Sequence, residues 1–440
     1  MSLNMKFTVC QIKGYAFLVV LLSAFLLFYK HIMQVFPGLI TNDIMLAFNI
    51  SAYEAGILIA VTFWTVVIIQ LIAGVILDRF GFRTVSSCSL IITASGLLFF
   101  IYAADDSNLI LGYFARVMIG CGIAFATVSY IKAVAIWLPP KRFAFVTSFL
   151  ASAAMLGAIA GQAPLSYLIV HTGSWQKGLR ICALIGFIIA IFYFLIIRDI
   201  NPRNVVIKKL TKEFSWKEIK QIFLNYNNWL LTLYTGFSFT TIDTFAGLWG
   251  NNYFREQYNL STEHAAWIIS MIFVGLAIGS PIIGKLSEKF NSYKPLMLIC
   301  HFIATVTITI VLSFNTSSLT TVICLFLFGF CLGTYMLAFA IGRRINNITV
   351  AATVAAFINT GEPILGGFFD PLIGYLLEIQ WQGNYIDSAG NIFNNHTKIF
   401  SQDVIKYFTV SEYHFAFSLL TLSMIIAFCL LCLVKDYKNQ

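Results

Sequence analysis

Charge is what this chain lacks. Lys, Arg, Asp and Glu supply 11% of its 440 residues, while 59% are hydrophobic and 42 are phenylalanine. Soluble domains average about 25% charged residues, so a water-soluble fold is excluded and lipid is the expected solvent. The nine cysteines show neither a disulfide framework nor zinc-ligand spacing. Cys429 and Cys432 form a C-x-x-C, but inside an apolar run, where small buried side chains are expected and redox chemistry is not. No P-loop occurs, which argues against ATP as the direct energy source. His31, His171, His264, His301, His396 and His414 are scattered and form no local catalytic motif. No enzyme activity, cofactor or metal is therefore expected. The first apolar run continues to about residue 38 without a small-residue cleavage site, so no cleavable signal is expected. The formal net charge of +9 would suit nucleic acid. The basic residues, however, lie in short loops between apolar runs, a pattern of membrane orientation and not of a nucleic-acid face.

What is present is apolar length. Twelve stretches approach the ~20 residues that a spanning helix needs: 15–38, 53–77, 85–104, 108–134, 143–170, 178–197, 229–253, 264–284, 295–313, 318–341, 350–377 and 413–434. Backbone groups in lipid require internal partners, so these runs are expected to be helices, and their lengths exclude a β-barrel. With both termini on one side, 21 Lys and Arg fall on that side, five on the other and two within spans. That bias places both termini in the cytoplasm. The polar segment 198–228 divides the chain into a six-helix bundle over 1–197 and another over 229–440. Within it Phe214, Trp216, Ile219, Ile222 and Phe223 recur near helical spacing among lysines. A short helix on the inner membrane surface fits this pattern, and so does a solvated linker. Residues 378–412 read as a long polar loop before the last helix.

The segment "GVILDRFGFRT" (74–84) places an acid and two arginines between glycines. It has an echo: Gly284, Glu288 and Lys289 stand 210 residues after Gly74, Asp78 and Arg79. Both copies follow the second helix of their half, which marks an internal duplication. Gly74 would allow close helix approach and Gly81 a tight turn. Asp78 could accept hydrogen bonds from arginines or a helix N-terminus across the interface between halves. A contact made in one arrangement of the halves and broken in the other would bias a two-state equilibrium. Gly74, Asp78, Arg79, Gly81 and Arg83 match G-x-x-x-D-R-x-G-x-R, and the segment resembles the signature of the major facilitator superfamily. Arg116, Gly120 and Gly122 resemble that family's fourth-helix motif R-x-x-x-G-x-G, and Gly157, Gly161 and Pro164 loosely resemble its fifth-helix motif. The resemblance implies an all-α membrane fold of twelve helices in two pseudo-symmetric six-helix bundles. It also implies a latch role for the charged turn, and a central cavity lined by helices 1, 4, 7 and 10.

Ionisable groups at membrane depth cost several kcal/mol, so they face protein or water and tend to be functional. Lys30, Arg116, Asp243, Glu362 and Asp370 stand out. Lys30, beside Tyr29, could hold an anionic group or partner an internal acid. Arg116 reads as a coupling residue, which the resemblance supports, or as a hydrogen-bond hub within its bundle. Asp243, followed by Trp249, could be a proton or ammonium site, or a static salt-bridge partner of Lys30 or Arg116. Glu362, with Asn359 just ahead of it, lies in a helix interrupted by Pro363, Gly366, Gly367, Pro371 and Gly374, as binding-site helices of transporters often are. Asp370 reads as a wet helix-edge residue.

Lys30 on helix 1 faintly resembles the cation of organophosphate:phosphate antiporters. Those carry a second cation on helix 7, where this chain has Asp243, and a dianionic phosphate ester would be repelled there. A cation in one half and an acid in the other suit a zwitterion or proton coupling better. The expectation is a proton-coupled secondary transporter for an amino acid or similar nutrient, working as a monomer in the bacterial inner membrane. An organic-anion antiporter and a non-transporting sensor on the same fold are the alternatives.

Overall fold

The structure, a computed structural model, describes residues 9–137, 151–199, 216–287, 289, 292–346, 351–387, 390–394 and 404–435. The first half comprises α1 (Val9–Val35), a 3-10 turn (Phe36–Leu39), α2 (Thr41–Phe48), α3 (Ala52–Phe80), α4 (Phe82–Asp105), α5 (Leu109–Ile123), α6 (Ala126–Trp137), α7 (151–160), α8 (Ala163–Thr172) and α9 (Trp175–Ile196). After the short α10 (Trp216–Leu224), the second half begins with α11 (Tyr226–Thr244), a π-helical turn (Phe245–Trp249) and α12 (Gly250–Tyr258). It continues with α13 (Thr262–Ser287), α14 (Lys294–Ser313), α15 (Ser318–Leu332), α16 (Tyr335–Ile345), α17 (Ala351–Asn359), α18 (Gly361–Gln380) and α19 (Val410–Leu433).

Among the described residues, ten helical stretches are long and apolar enough to cross a membrane, several of them built from two consecutive elements. They coincide with ten of the twelve expected spans. The other two, 229–253 and 350–377, are helical along α11–α12 and α17–α18 but carry more polar side chains. Residues 143–150 of the fifth expected span, and Phe214 of the expected surface helix, lie outside the described residues. Local chemistry sets the boundaries. Ser51 and Glu54 form a capping box at the start of α3, and Gly81 (φ +80°) ends it and turns the chain directly into α4. Asn108 and Ser317 cap α5 and α15 at matching places in the two halves.

The duplication also governs packing. The helix α3 packs on α5 as α13 packs on α15, and α4 packs on α9 as α14 packs on α19. Small residues permit the approach. A Cβ on Gly120 would lie 2.9 Å from the Thr62 carbonyl oxygen, and one on Gly333 would lie 2.6 Å from the Ser280 nitrogen. The halves meet along α3–α18 and α8–α13. Each contact sets the second spanning helix of one half against the fifth of the other.

Hydrogen bonds joining the halves cluster on the face remote from the one where α1 begins and α19 ends. Thr41 Oγ1 donates to the Leu248 carbonyl (2.8 Å), Gln162 Nε2 to the Ala246 carbonyl (2.8 Å) and Asn251 Nδ2 to Gln162 Oε1 (2.9 Å). Asn252 Nδ2 donates to Asn42 Oδ1 (2.7 Å), and the Tyr53 amide to Glu378 Oε1 (2.9 Å). Backbone meets backbone here: a Cβ on Gly56 would stand 2.5 Å from the Asp370 carbonyl oxygen and 2.6 Å from Pro371 Cα.

The segment between α18 and α19 is more than the polar loop expected. Its strands β1 (Asn384–Asp387), β2 (Ile392–Asn394) and β3 (Val404–Lys406) form an antiparallel sheet in the order β2-β1-β3. Strands of three or four residues with mixed polar composition carry too weak an alternation to be read from sequence. The strand β3 lies against α2, so this segment of the second half reaches the first. Glu412 anchors it. Fully buried, it caps α19 with Thr409 and accepts the Gln382 amide at 2.7 Å.

Two outcomes are expected. Glu412→Ala orphans the part-buried Gln382 and Thr409 amide donors and costs about 2 kcal/mol, read as a lowered melting temperature that Glu412→Gln partly restores. Gly56→Val wedges the face remote from the termini apart, an overpacking cost of about 1–3 kcal/mol. A cysteine at Ala246, in a background without native cysteines, then reacts at least about tenfold faster with an impermeant maleimide.

Candidate functional site

A cavity open to solvent, with about 440 Å³ of empty space counting its mouth, lies between the halves. The first half lines it with Lys30, Gln34, Thr62, Phe63, Val66, Gln70, Arg116 and Ile123, and the second with Asn359, Glu362 and Pro363. Helical spacing explains the first wall, because Lys30 and Gln34 are one turn apart on α1 and share a face. On the second wall, Glu362 follows the break at Thr360 between α17 and α18. Asp243 sits at the end of α11, just before the π-helical turn, an irregularity that re-aims the side chains around it.

Two carboxylates of the second half approach the first. Asp243 Oδ1 accepts from Gln34 Nε2 at 3.0 Å, while its buried Oδ2 has no hydrogen-bond partner among the described residues. Gln34 also reaches the Glu362 carboxyl, which accepts from the Tyr335 hydroxyl at 3.3 Å. The same hydroxyl stands 3.3 Å from Asn359 Oδ1. Lys30 lies within electrostatic reach of both Asp243 and Glu362. The structure thus brings together Lys30, Asp243, Asn359 and Glu362.

Arg116 forms a deeper part of the wall and is 1% exposed. One nitrogen donates to the Ile59 carbonyl at 3.4 Å, and the guanidinium carbon stands 5.7 Å and 5.9 Å from the ring centroids of Phe36 and Phe100. Its Nε and Nη1 have no hydrogen-bond partner among the described residues. Asp370 of the other half is within its electrostatic reach. Asp370 is not the wet helix-edge residue expected: it is 1% exposed and accepts from Thr244 Oγ1 at 2.7 Å. The close α3–α18 contact buries it. Nor does the alternative reading of Asp243, a static salt bridge to Lys30 or Arg116, occur among the described residues; Gln34 donates to it instead.

Two further expectations are corrected. Tyr29 points away from the main cavity and donates to the Cys182 carbonyl at 3.2 Å on α9, because its neighbour Lys30 occupies the inward face. It borders only a smaller space of about 190 Å³ behind Lys30. Trp249 is buried in the π-helical turn and donates to the Asp370 carbonyl at 3.3 Å. It packs into the seal between the halves, outside the cavity lining.

The charged turn also differs from expectation. Asp78 pairs with Lys132 of its own half at 2.9 Å, not with a group across the interface. Arg79 stands 5.5 Å over the Phe80 ring. The Arg83 amide donates to Asp199 Oδ1 (2.9 Å) and its Nε to the Phe194 carbonyl (2.7 Å), tying the turn to the end of α9. Among the described residues, a Cβ on Gly74 or Gly284 would meet nothing within 4 Å. Lys289 is exposed, and Glu288 lies outside the described residues.

Gln34, Gln70, Thr62 and Tyr335 escaped the sequence reading because they carry no formal charge. The position of Gln34 one turn after Lys30 was the available signal.

With this geometry in view, known proteins are informative. The family model of the Major Facilitator Superfamily matches residues 16–371. The chain is 23% identical over 359 residues to the uncharacterized transporter YybO of Bacillus subtilis (strain 168), covering 76% of this chain and 81% of that one. Its fold is similar to a bacterial homolog of the human lysosomal transporter Spinster in an inward-facing, occupied conformation, with TM-score 0.73, 15% identity, and 96% and 97% of the two chains covered. It is also similar to a D-xylose-proton symporter, with TM-score 0.72, 15% identity, and 94% and 96% covered. The family match over residues 16–371, on a helical fold with long apolar stretches, establishes that this multi-pass membrane protein belongs to the Major Facilitator Superfamily.

Proposed function

We propose that the protein is a secondary active transporter that carries a small polar solute, an amino acid or similar nutrient, together with protons across the bacterial inner membrane. It acts as a monomer with both termini cytoplasmic. The observation that carries this reading is the division of charge between the halves at the cavity, which Lys30, Arg116 and Glu362 line. Lys30 and Arg116 stand on the first half, and Asp243, Glu362 and Asp370 on the second. A zwitterion spans such walls, with its carboxylate toward the cations and its ammonium toward the acids. Buried atoms without a hydrogen-bond partner among the described residues support it: on the first half Arg116 Nε and Nη1 offer donors and Gln34 Oε1 and Gln70 Oε1 acceptors, and on the second Asp243 Oδ2, outside the cavity lining, offers an acceptor. A phosphate ester would meet repulsion from the carboxylates.

Alternating access supplies the mechanism. With the seal closed on the face remote from the termini, the solute leaves toward the cytoplasm. In the opposite conformation the bundles over 1–197 and 229–440, linked by 198–228, rock together at the cytoplasmic face. There Gly74, Asp78, Arg79, Gly81 and Arg83, with Gly284, Glu288 and Lys289, act as the latch. Asp78 then exchanges Lys132 for a partner in the other half, and the open space beside Gly74 and Gly284 receives a neighbouring helix.

A thermal-shift screen of the purified protein against amino acids, organic acids, nucleosides and sugar phosphates identifies the solute, because a ligand at a hundred times its Kd stabilises the folded state by about 2.7 kcal/mol. An amino acid is expected to score. In proteoliposomes a proton gradient then drives its accumulation, and Asp243→Asn abolishes that accumulation. Uptake by this variant at the wild-type level would overturn Asp243 as the coupling acid. Binding without any gradient-driven uptake by the wild type would identify a sensor instead.

A further inference from the structure

We propose that Gln162 is the positioning residue of the seal on the face remote from the termini: its side-chain amide ties the break at the end of α1 to the π-helical turn of the other half, and the halves part there only when water replaces it. The inference rests on the alternating-access reading above and adds to it the residue that holds the closed state.

Three interruptions of helix meet at this side chain. The helix α1 ends at Val35 and passes into the 3-10 turn Phe36–Leu39, while the π-helical turn Phe245–Trp249 separates α11 from α12. Gln162 itself stands at the break before α8, with φ −107° and ψ −96°. The three backbones crowd together: a Cβ on Gly161 would lie 2.6 Å from Val35 Cγ2, and one on Gly38 would lie 2.9 Å from the Gly247 carbonyl oxygen. Helix ends and irregular turns leave backbone carbonyls open to side-chain donors. Gln162, fully buried, meets them. Its Nε2 donates to the Ala246 carbonyl at 2.8 Å and to the Val35 carbonyl at 3.3 Å, and its Oε1 accepts from Asn251 Nδ2 at 2.9 Å. A side-chain amide is the neutral group that offers two N–H donors and an acceptor at once.

Thr41 shows by contrast why Gln162 is the committed contact. The Thr41 hydroxyl has one proton and two acceptors, the Leu248 carbonyl across the interface at 2.8 Å and the Pro37 carbonyl of its own half at 3.0 Å. When the halves part it keeps Pro37. Gln162 keeps only Val35. Separation strips it of one donor bond and of its acceptor bond, and strips the Ala246 carbonyl and Asn251 Nδ2 of their partner. Asn251 Oδ1 is already buried without a hydrogen-bond partner among the described residues. Buried polar groups left unmet are costly, so a dry seal stays shut and opening requires water at Gln162. A carboxyl of the same shape turns this into a titration. In Gln162→Glu the ionised form has no donor and faces two carbonyls, whereas the protonated form donates to one of them.

The test uses the full-length protein in a background without native cysteines. Spin labels are placed on cysteines at Asp106 and Asn315, exposed positions in the α4–α5 and α14–α15 connections on the face of the seal, and the distance between them is measured in acid and in alkaline buffer. Gln162→Leu is expected to raise the ratio of long to short distances at least about tenfold over the wild type, the scale of one orphaned buried polar group. Gln162→Glu is expected to be short in acid and long in alkali, reversibly. Val35, Ala246 and Asn251 do not titrate. Asp243 and Asp370 on the neighbouring helices, and the His171–Glu263 pair that crosses α8–α13 at 4.0 Å, are shared by the wild type, whose own response to pH is the baseline. An unmoved distribution in a folded Gln162→Leu variant, or a Gln162→Glu variant that responds to pH no more than the wild type, refutes the proposal. Should Gln162→Leu not fold, Gln162→Glu compared with itself in the two buffers decides. Distances that switch as expected in a protein that moves no solute would sink only the transport reading. Solute uptake with distances unmoved in both variants would sink only this one.

Discussion

An ionised side chain held at membrane depth must find its counter-charge inside the protein, and here that counter-charge belongs to the opposite half. Lys30 and Arg116 are anchored in one bundle, and Asp243, Glu362 and Asp370 in the other. Neither half is electrically comfortable alone. The interface is therefore an electrostatic commitment as well as a packing surface. Whatever neutralises one wall, a proton or a solute, changes how strongly the halves attract. In the proposed mechanism this links chemistry in the cavity to movement of the bundles without any long-range relay.

In the proposed mechanism the duplicated architecture turns that attraction into a hinge. The paired contacts α3–α18 and α8–α13 relate the second spanning helix of each half to the fifth of the other. The seal remote from the termini consists of short polar bonds and backbone-to-backbone approaches at Gly56 and Gly38. Trp249 and Asp370 sit beneath it, joined by a single hydrogen bond. The charged turn at the other face is satisfied within its own half in this conformation, through Lys132 and Asp199. It can exchange partners without leaving a buried charge bare.

Much of this was legible in the sequence, and the limits have physical causes. Apolar run length revealed the helices because lipid permits few alternatives. The repeat of Gly74, Asp78 and Arg79 revealed the two halves because duplication preserves spacing. Lys30, Asp243 and Glu362 announced themselves as charges in apolar surroundings. Side-chain direction was not legible. Tyr29 and Lys30 are neighbours on α1 yet face different spaces, and Trp249 follows Asp243 by six residues but lies beyond the π-helical turn that rotates it into the seal. Gln34 was hidden because an uncharged amide in a helix carries no cost until its partners are known. The sheet over 384–406 was hidden because its strands are short.

The central claim is that the two halves are coupled through the charges they present to each other. A double-mutant cycle of Lys30→Met and Asp243→Asn, read as thermal unfolding of the purified protein, measures that coupling directly. If the charges work as a unit, the double variant differs from the sum of the single variants by more than about 1 kcal/mol, because removing both leaves no unpaired charge. Additivity within about 0.5 kcal/mol would show that Lys30 and Asp243 do not sense each other, and would contradict the account.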